Sequence, residues 1–452
     1  MKIAIKNARI YDPASGREGN IGTILIDSGR IVGNIDTAQI EIDAEGRVLM
    51  AGAIDVNAHM ATYGLNFIRS CSRLPAVRDI GEAYVRLGYT FVNEAFVTLH
   101  TAAYTHYELS KVPWLHTSMF LSLPLYDLEN FVRSEDVEKC ARVVAAFGEI
   151  SKCIGFRLFE PELYYEQEIY SHRNIEASRL LEFFARVADA LKLRMFVHPR
   201  ETSVNLVSSY PESYHLSSVF ELLAGNNLKE LKSVLDSGAS VDIGFVPEGD
   251  HLRILPEPQE IPGRVFKFDI GLTHPVYYVL ASGGENKETN KLMDLLGGSS
   301  DYKIAFSMML PAKDFLQNYA SLWASIASRF GFSFLARITR NVPAEILGII
   351  DRGNLNFGSK ADIAIYDVET ESDQESMKQA FSSCWCLLRD GEIIISDGEI
   401  IASESNKKTW FRKFPDSDRE EALKILRQSS FRPQNLEITE EIAGSLAEIS
   451  EG

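Results

Sequence analysis

The hydrophobic residues of this chain change their period between its ends and its middle. Over residues 1–50 they come in short alternating runs. Ile3-Ala-Ile5-Lys-Asn alternates, Tyr11-Asp-Pro-Ala-Ser-Gly16 supplies turn chemistry, and Thr23-Ile-Leu-Ile26 ends at Asp27-Ser-Gly-Arg30. The far end has the same short runs. A strand follows the glycine turn at Gly358, Leu388 to Ile395 carries an Asp-Gly turn, and Asp397 to Ile401 follows. In the middle the period lengthens. Ile80, Ala83, Tyr84 and Leu87 form the i, i+3, i+4, i+7 stripe of a helix that Gly88 ends, ahead of a strand over 89–92. Ser134 is placed to cap a helix striped at Val137, Cys140, Ala141, Val144 and Phe147. Asn174 is placed to cap another, which turns Leu180, Leu181, Phe184, Val187, Ala188 and Leu191 inward. Strands over 154–159 and 194–198 follow these helices, and 119–123, 241–245 and 304–307 read as further strands, with a sixth near His215. Alternation of this kind argues for a parallel sheet with crossover helices, open or closed into a barrel. Residues 246–302 show no clear periodicity and many Pro and Gly, so they read as a long irregular insertion serving function or an interface.

Composition narrows the class. The 452 residues are 45% hydrophobic and 24% charged, the balance of an ordinary globular protein. A formal charge of −17 argues against nucleic acid, which is bound through phosphate-neutralising Lys and Arg. There is no apolar run of membrane-spanning length, and residues 1–30 lack the regions of a signal peptide, so the expected compartment is the cytoplasm, with no membrane partner. Five cysteines in so long a chain suit reduced thiols. Cys384-Trp-Cys386 has the spacing of two thiols on one face of a strand, and no second pair answers it as a metal site.

The candidate chemistry gathers around Arg47-Val-Leu-Met-Ala-Gly-Ala-Ile-Asp-Val-Asn57-Ala-His59. This stretch resembles the first barrel strand of the amidohydrolase superfamily, whose His-x-His pair grips a divalent metal; here Asn57 stands in the first position and His59 in the second. Asn66 and Arg69 lie behind it. Gly88-Tyr-Thr-Phe-Val-Asn-Glu-Ala95, Thr105-His-Tyr-Glu-Leu109, Ala361-Asp-Ile-Ala-Ile-Tyr-Asp367 and the segment from Ala380 to Ile394 complete the set. In order and spacing they resemble the A-type component of formylmethanofuran dehydrogenase and its counterpart, the alpha component of the formyltransferase/hydrolase complex.

The resemblance implies a distorted (β/α)8 TIM barrel over 51–342, a small composite β-sandwich domain from 1–50 and 343–412, and a tail over 413–452 lying on a neighbour or in solvent. Family members hydrolyse a formylated methanofuran-type carrier at two zinc ions. They use two strand-one histidines, a carboxylated lysine, two further histidines and an aspartate; the metal lowers the pKa of its water to about 7. Carried over, the lysine becomes Arg157, which stays protonated and forms no carbamate. His198 fits the strand-five ligand, the strand-six pair becomes His215 and Ser218, and Met309 takes the aspartate's place. Asn66 and Arg69 are expected to touch substrate, and His59 and His198 to hold at most one zinc ion. Asn57, Arg157, His59, His198 and Met309 are expected to converge at the carboxyl end of the barrel, with Arg157 meeting an acid or an anion.

Bland readings stand beside these. A lone His in a barrel mouth is usually a hydrogen-bonded structural residue. Glu94 reads as a solvated or salt-bridged carboxylate, His106 matches a family position outside the metal site, and His100 and His116 read as surface or packing residues. Three functions remain open. The first is a complex subunit without dinuclear-zinc formyl hydrolysis, serving as scaffold or carrier-binding subunit beside its partner subunits. The second is an active one-metal amidohydrolase with an acid not yet identified. The third is a binding or regulatory protein outside one-carbon metabolism.

Overall fold

The computed structural model describes all residues except 63, 66–67, 70–74, 160, 162–174, 199–203, 225–226, 246–250, 256–262, 269–275, 282–287, 299–300, 309–314, 404–405, 429–435 and 450–452. Strands β1 (Lys2–Asp12), β2 (Arg17–Asp27), β3 (Arg30–Val32), β4 (Ile40–Asp43) and β5 (Val48–Ala51) open the chain. The next, β6 (Ala53–Ala58), starts after the single residue Gly52. A Cβ on Gly52 would sit 2.4 Å from the Thr90 hydroxyl, so only glycine lets the chain pass this closely from one body to the other.

Strand β6 leads into β7 (Tyr89–Val97), β8 (His116–Ser122), β9 (Gly155–Phe159), β10 (Met195–His198), β11 (Tyr214–Leu216) and β12 (Ser240–Asp242). Each pairs in parallel with the next, and β12 pairs with β16 (Lys303–Ala305), giving eight parallel strands in chain order. Among the described residues β16 and β6 share no ladder. The helical turns Arg337–Asn341 and Val342–Leu347 lie across that gap, with the Phe306 amide donating to the Ile338 carbonyl at 2.7 Å. The barrel floor is apolar: Ile54, Val56, Phe91, Phe120, Phe196 and Ala305 form one buried cluster. This is the TIM-barrel architecture expected, not quite closed.

Strands β17 (Ile363–Tyr366), β18 (Cys386–Arg389), β19 (Glu392–Ser396) and β20 (Glu399–Ile400) return to the opening strands. The order β20-β19-β18-β17-β5-β1-β2-β3, with β4 also on β1, makes one nine-stranded mixed sheet from both chain ends. Its join is β5 against β17, antiparallel from Ala51↔Ile363 to Val48↔Tyr366. Ile3, Ile5, Ile24, Ile26, Leu49, Ile363, Ile365 and Leu388 pack its core.

Several local expectations need correction. The helix Val137–Ser151 is capped by Asp136, whose carboxylate accepts from the Lys139 amide at 3.1 Å. Ser134 instead ends the preceding helix and donates back to the Asn130 carbonyl. Asn174 lies outside the described residues, and the helix Ala177–Leu191 starts from Glu176. The insertion over 246–302 is less irregular than its composition suggests. It holds β13 (His251–Leu255), β14 (Gly263–Phe268) and β15 (Val276–Ala281), an antiparallel sheet in the order β13-β15-β14, and the helix Glu288–Leu296. Its strand runs are rich in β-branched and aromatic residues, which the flanking Pro and Gly obscure. The tail is not left to solvent or a neighbour. Strand β21 (Thr409–Phe411) pairs with β8 and with β22 (Leu446–Glu448), while Ala422 and Leu426 of the helix Arg419–Gln428 are buried. Cys384 packs in the barrel-side core and Cys386 in the sheet core, so the two thiols do not share a face. Among the described residues, no helix is long and apolar enough to cross a membrane.

Sheet and barrel are tied by buried charge. Arg352 pairs with Asp362 and, at 2.8 Å, with Asp390; Asp390 accepts from His116 at 2.7 Å. Burial and the Arg352 charge push His116 down to about 3, and its Nδ1 accepts from the Lys408 amide, so the neutral ring donates to Asp390 through Nε2. His116 is thus a joint between the two bodies rather than a surface residue. Removing one member of a buried ion group costs more than the group contributes, because the partner charges stay desolvated. Arg352→Met should lower unfolding free energy by roughly 3–5 kcal/mol in urea titrations, whereas a loss below about 1 kcal/mol would mean the joint is solvated.

Candidate functional site

The carboxyl ends of the barrel strands carry a polar layer above the apolar floor. A bulge lies between Asp55 and Ala58 in the β6–β7 pairing, and such an irregularity re-aims the side chains beside it. Asn57 enters the layer there. Its Nδ2 donates to Ser218 Oγ at 2.8 Å and to Asp242 Oδ1 at 2.9 Å. Its Oδ1 accepts from Arg157 Nη1 at 3.2 Å. The same guanidinium donates to the Ala95 carbonyl at 3.1 Å and to His198 Nδ1 at 2.9 Å. Arginine has no acceptor, so His198 Nδ1 must be a bare lone pair. Burial and the Arg157 charge hold His198 well below the usual imidazole value, so it is neutral. Phe159 stacks on its ring at 5.0 Å and lies beneath the guanidinium.

Asp242 anchors the opposite side. Burial would raise its carboxyl, but hydrogen bonds from His215, Ser307 and Asn57 hold it at about 2. It accepts from His215 Nε2 at 2.9 Å, from the Ser307 hydroxyl at 2.6 Å and from the Ser218 amide at 3.1 Å. Burial pushes His215 down, so its one proton sits on Nε2 toward the ionised carboxylate, and Nδ1 accepts from Ser240 at 2.9 Å. Ser218 adopts φ +59, an uncommon conformation for a residue with a side chain. The Cβ that Gly244 lacks would sit 2.6 Å from Ser218 Cα, so the turn accepts little change.

His59 has a different setting. It is 3% exposed, and neither ring nitrogen has a hydrogen-bond partner among the described residues. Burial and then the Arg157 charge push it down to about 3. Beside it Glu94 is buried, not solvated, and makes no ion pair among the described residues, where a solvated or salt-bridged carboxylate is expected. Its carboxyl accepts from the amides of Met60 and Ala61 at 2.9 and 2.8 Å and from the Thr62 hydroxyl at 2.9 Å. Burial raises it to about 7 against those donors. Asp55 is likewise raised to about 7 by burial, while accepting from the Asn57 amide, the Tyr84 hydroxyl and the Met308 amide.

Of the expected site residues, Asn57, Arg157, His198 and Ser218 meet directly, and His59 lies close enough to feel the charge of Arg157. Arg69 sits behind them, donating to the carbonyls of Pro75 and Met60. Asn66 and Met309 lie outside the described residues. Arg157 is expected to meet an acid or an anion; its described acceptors lie on Asn57, Ala95 and His198, and Asn57 in turn bonds the carboxylate of Asp242. His106 is buried, bonded to the Ser151 carbonyl at 2.9 Å. Sequence reasoning misses Asp242, Ser240 and Ser307. A signal exists: Ser240 and Asp242 alternate with apolar residues on the strand expected over 241–245.

The donor set does not suit a pair of metal ions. Asn57 offers a carboxamide whose oxygen is already taken, Arg157 offers no lone pair, and the Nδ1 pair of His198 and both nitrogens of His215 are engaged. Among the described residues, no three His, Cys, Asp or Glu side chains are placed to hold a metal ion.

No family model matches the chain. It is homologous to the A component of the formyltransferase/hydrolase complex Fhc of Methylorubrum extorquens, 24% identical with 95% of each chain covered. It is also homologous to protein FwdA of Methanocaldococcus jannaschii, 23% identical with 89% of each covered. The fold is similar to the formyltransferase/hydrolase complex structure from Methylorubrum extorquens, solved with methylofuran, at a TM-score of 0.85, 18% identity and full coverage of both chains. D-aminoacylase, an amidohydrolase, gives a TM-score of 0.59 at 12% identity, covering 89% of this chain and 98% of its own.

The raised Glu94 yields a pH test. Its folded value, about 7, lies above the unfolded one, so between pH 4.5 and 7 the native state holds a proton that the unfolded chain has lost. Stability from this group is therefore present at low pH and declines as pH rises through that window. Glu94→Gln keeps an acceptor for the two amides and a donor for Thr62 Oγ. The wild-type-minus-variant unfolding free energy should fall by on the order of 2–3 kcal/mol from pH 4.5 to 7. A difference independent of pH would place Glu94 in water.

Proposed function

We propose that this chain is the A-type subunit of a formyltransferase/hydrolase-like assembly of one-carbon metabolism, retained as a scaffold and docking body rather than for formyl hydrolysis at two zinc ions. One observation carries the second half of this reading. The Arg157 guanidinium bonds at once to Asn57 and His198, two positions that the resemblance assigns to metal ligands. Two adjacent dications need bridging negative charge; here a permanent cation takes the bridge, and the site's ionised carboxylate, Asp242, is already bonded to His215, Ser307, Asn57 and the Ser218 amide.

The first half rests on homology along almost the whole chain to proteins named for such assemblies. In this reading the partners are the other subunits, the ligand that docks is a methanofuran-type carrier, and the assembly works in the cytoplasm. The barrel over 51–342 and the composite domain of 1–50 and 343–412 would be kept for the surfaces they present.

A second reading is favoured by His59 alone. A buried imidazole with both nitrogens unpartnered among the described residues has a lone pair to give, and one zinc ion held there would supply a Lewis acid for a one-metal amide hydrolase. Elemental analysis of dialysed protein, with an assay on a formylated methanofuran-type carrier, separates the two. We expect less than one zinc per chain and no hydrolysis. One tightly held zinc with turnover would favour the one-metal hydrolase, and two would overturn both. Asn57→His, Arg157→Lys and Met309→Asp combined should raise zinc retention above that of the parent.

A further inference from the structure

A second site lies at the opposite end of the barrel. His116 opens β8 there, and the turns Asp27–Arg30 and Arg389–Glu392 of the nine-stranded sheet meet the segment that leads into β21. A cavity of about 600 Å³ sits at this junction, lined by Ser28, Gly29, Lys360, Asp390, Asn406, Lys407, Lys408 and Ser445. Among the described residues, three lysines line it with a single carboxylate, on a chain whose net charge is −17.

That carboxylate is already committed. Asp390 takes Arg352 at 2.8 Å and His116 at 2.7 Å, while Lys360 Nζ stands 4.0 Å away. Asp362, the other acid on Arg352, is wholly buried. Among the described residues, Lys360, Lys407 and Lys408 thus stand at the cavity beside a carboxylate that Arg352 and His116 already engage. Lys407 is the most constrained of them. Its Nζ donates to the carbonyls of Leu109 and Ser110 at 2.8 and 2.7 Å, at the end of the helix Ala102–Ser110, which among the described residues leaves one of the ammonium's three N–H groups uncommitted. Burial, and then the Arg389 charge, push this amine down to about 7.

We propose that this cavity binds a phosphate group through Lys360, Lys407 and Lys408. A lining with more amines than free carboxylates among the described residues suits an anion. Ammonium groups are point donors without the planar fork that pairs with carboxylates, so a lysine-lined cavity fits a tetrahedral oxyanion better than a carboxylate. Lys360 and Lys408 bring charge from the sheet side and from the strand side, so an anion between them would bridge the same two bodies that Arg352 joins. The volume exceeds that of free phosphate and leaves room for the organic part of a phosphomonoester.

Calorimetric titration of the full chain in chloride buffer tests this, with inorganic phosphate, ribose 5-phosphate and acetate as probes. Lys407 caps a helix, so the variants are Lys360→Gln and Lys408→Gln, each checked for an unchanged circular dichroism spectrum. We expect one phosphate-bearing probe per chain and roughly tenfold weaker binding in each variant, the order of one charge-assisted hydrogen bond. Saturation by inorganic phosphate itself would identify the free ion as a sufficient ligand, and binding by ribose 5-phosphate alone would identify a phosphomonoester. Acetate binding as tightly as phosphate would overturn the proposal, as would no heat from either phosphate or affinities unchanged in both variants.

Discussion

A guanidinium that cannot lose its proton, placed in the mouth of a barrel, constrains everything near it. Arg157 is 1% exposed, and its donors must find oxygen or nitrogen lone pairs within the protein. The nearby ionised carboxylate, Asp242, is not its direct partner among the contacts described; Asn57 stands between them. The carboxamide turns its oxygen to the cation and its nitrogen to the anion, so one neutral side chain links a charge pair. A neutral imidazole has one acceptor and one donor, so it could not also supply the second N–H that Asn57 gives to Ser218. Asn57 is therefore better understood as the complement of Arg157 and Asp242 than as a weakened metal ligand. The proton positions of His198 and His215 follow from the same pair of charges.

Such an arrangement carries a cost. A buried ion pair separated by an amide gains less Coulomb energy than a direct one, and desolvation must be met by the surrounding hydrogen bonds. The layer supplies these from Ser218, Ser307, Ser240 and the Ala95 carbonyl. Among the described residues, His59 makes no hydrogen bond into that network.

Much of this is legible in the sequence, and the failures have physical causes. The barrel strands can be read because a buried parallel strand is a short apolar run between helical stripes. The convergence of Asn57, Arg157 and His198 can be read because the strand motif fixes which residues reach the mouth. Asp242 escapes because a single acid in Val241-Asp-Ile looks like ordinary alternation, and only its four contacts mark it as an anchor. The insertion escapes because Pro and Gly drown the period of short strands. The tail escapes because its strand Leu446–Glu448 pairs with Thr409–Phe411, which in turn meets Thr117, and no local pattern encodes separations of that length.

The join of β5 to β17 also sets a schedule for synthesis. About 310 residues separate Ala51 from Ile363, so the first five strands leave the ribosome long before the strand that completes their sheet. At typical translation rates the interval is roughly 15–60 s, far longer than a hairpin needs to form. Through that time the β5 edge, with Val48, Leu49 and Met50 destined for full burial, is an unpaired hydrophobic template. The exposed edge is thus a matter of chain order rather than of final stability, and it closes only when Ile363–Tyr366 arrives.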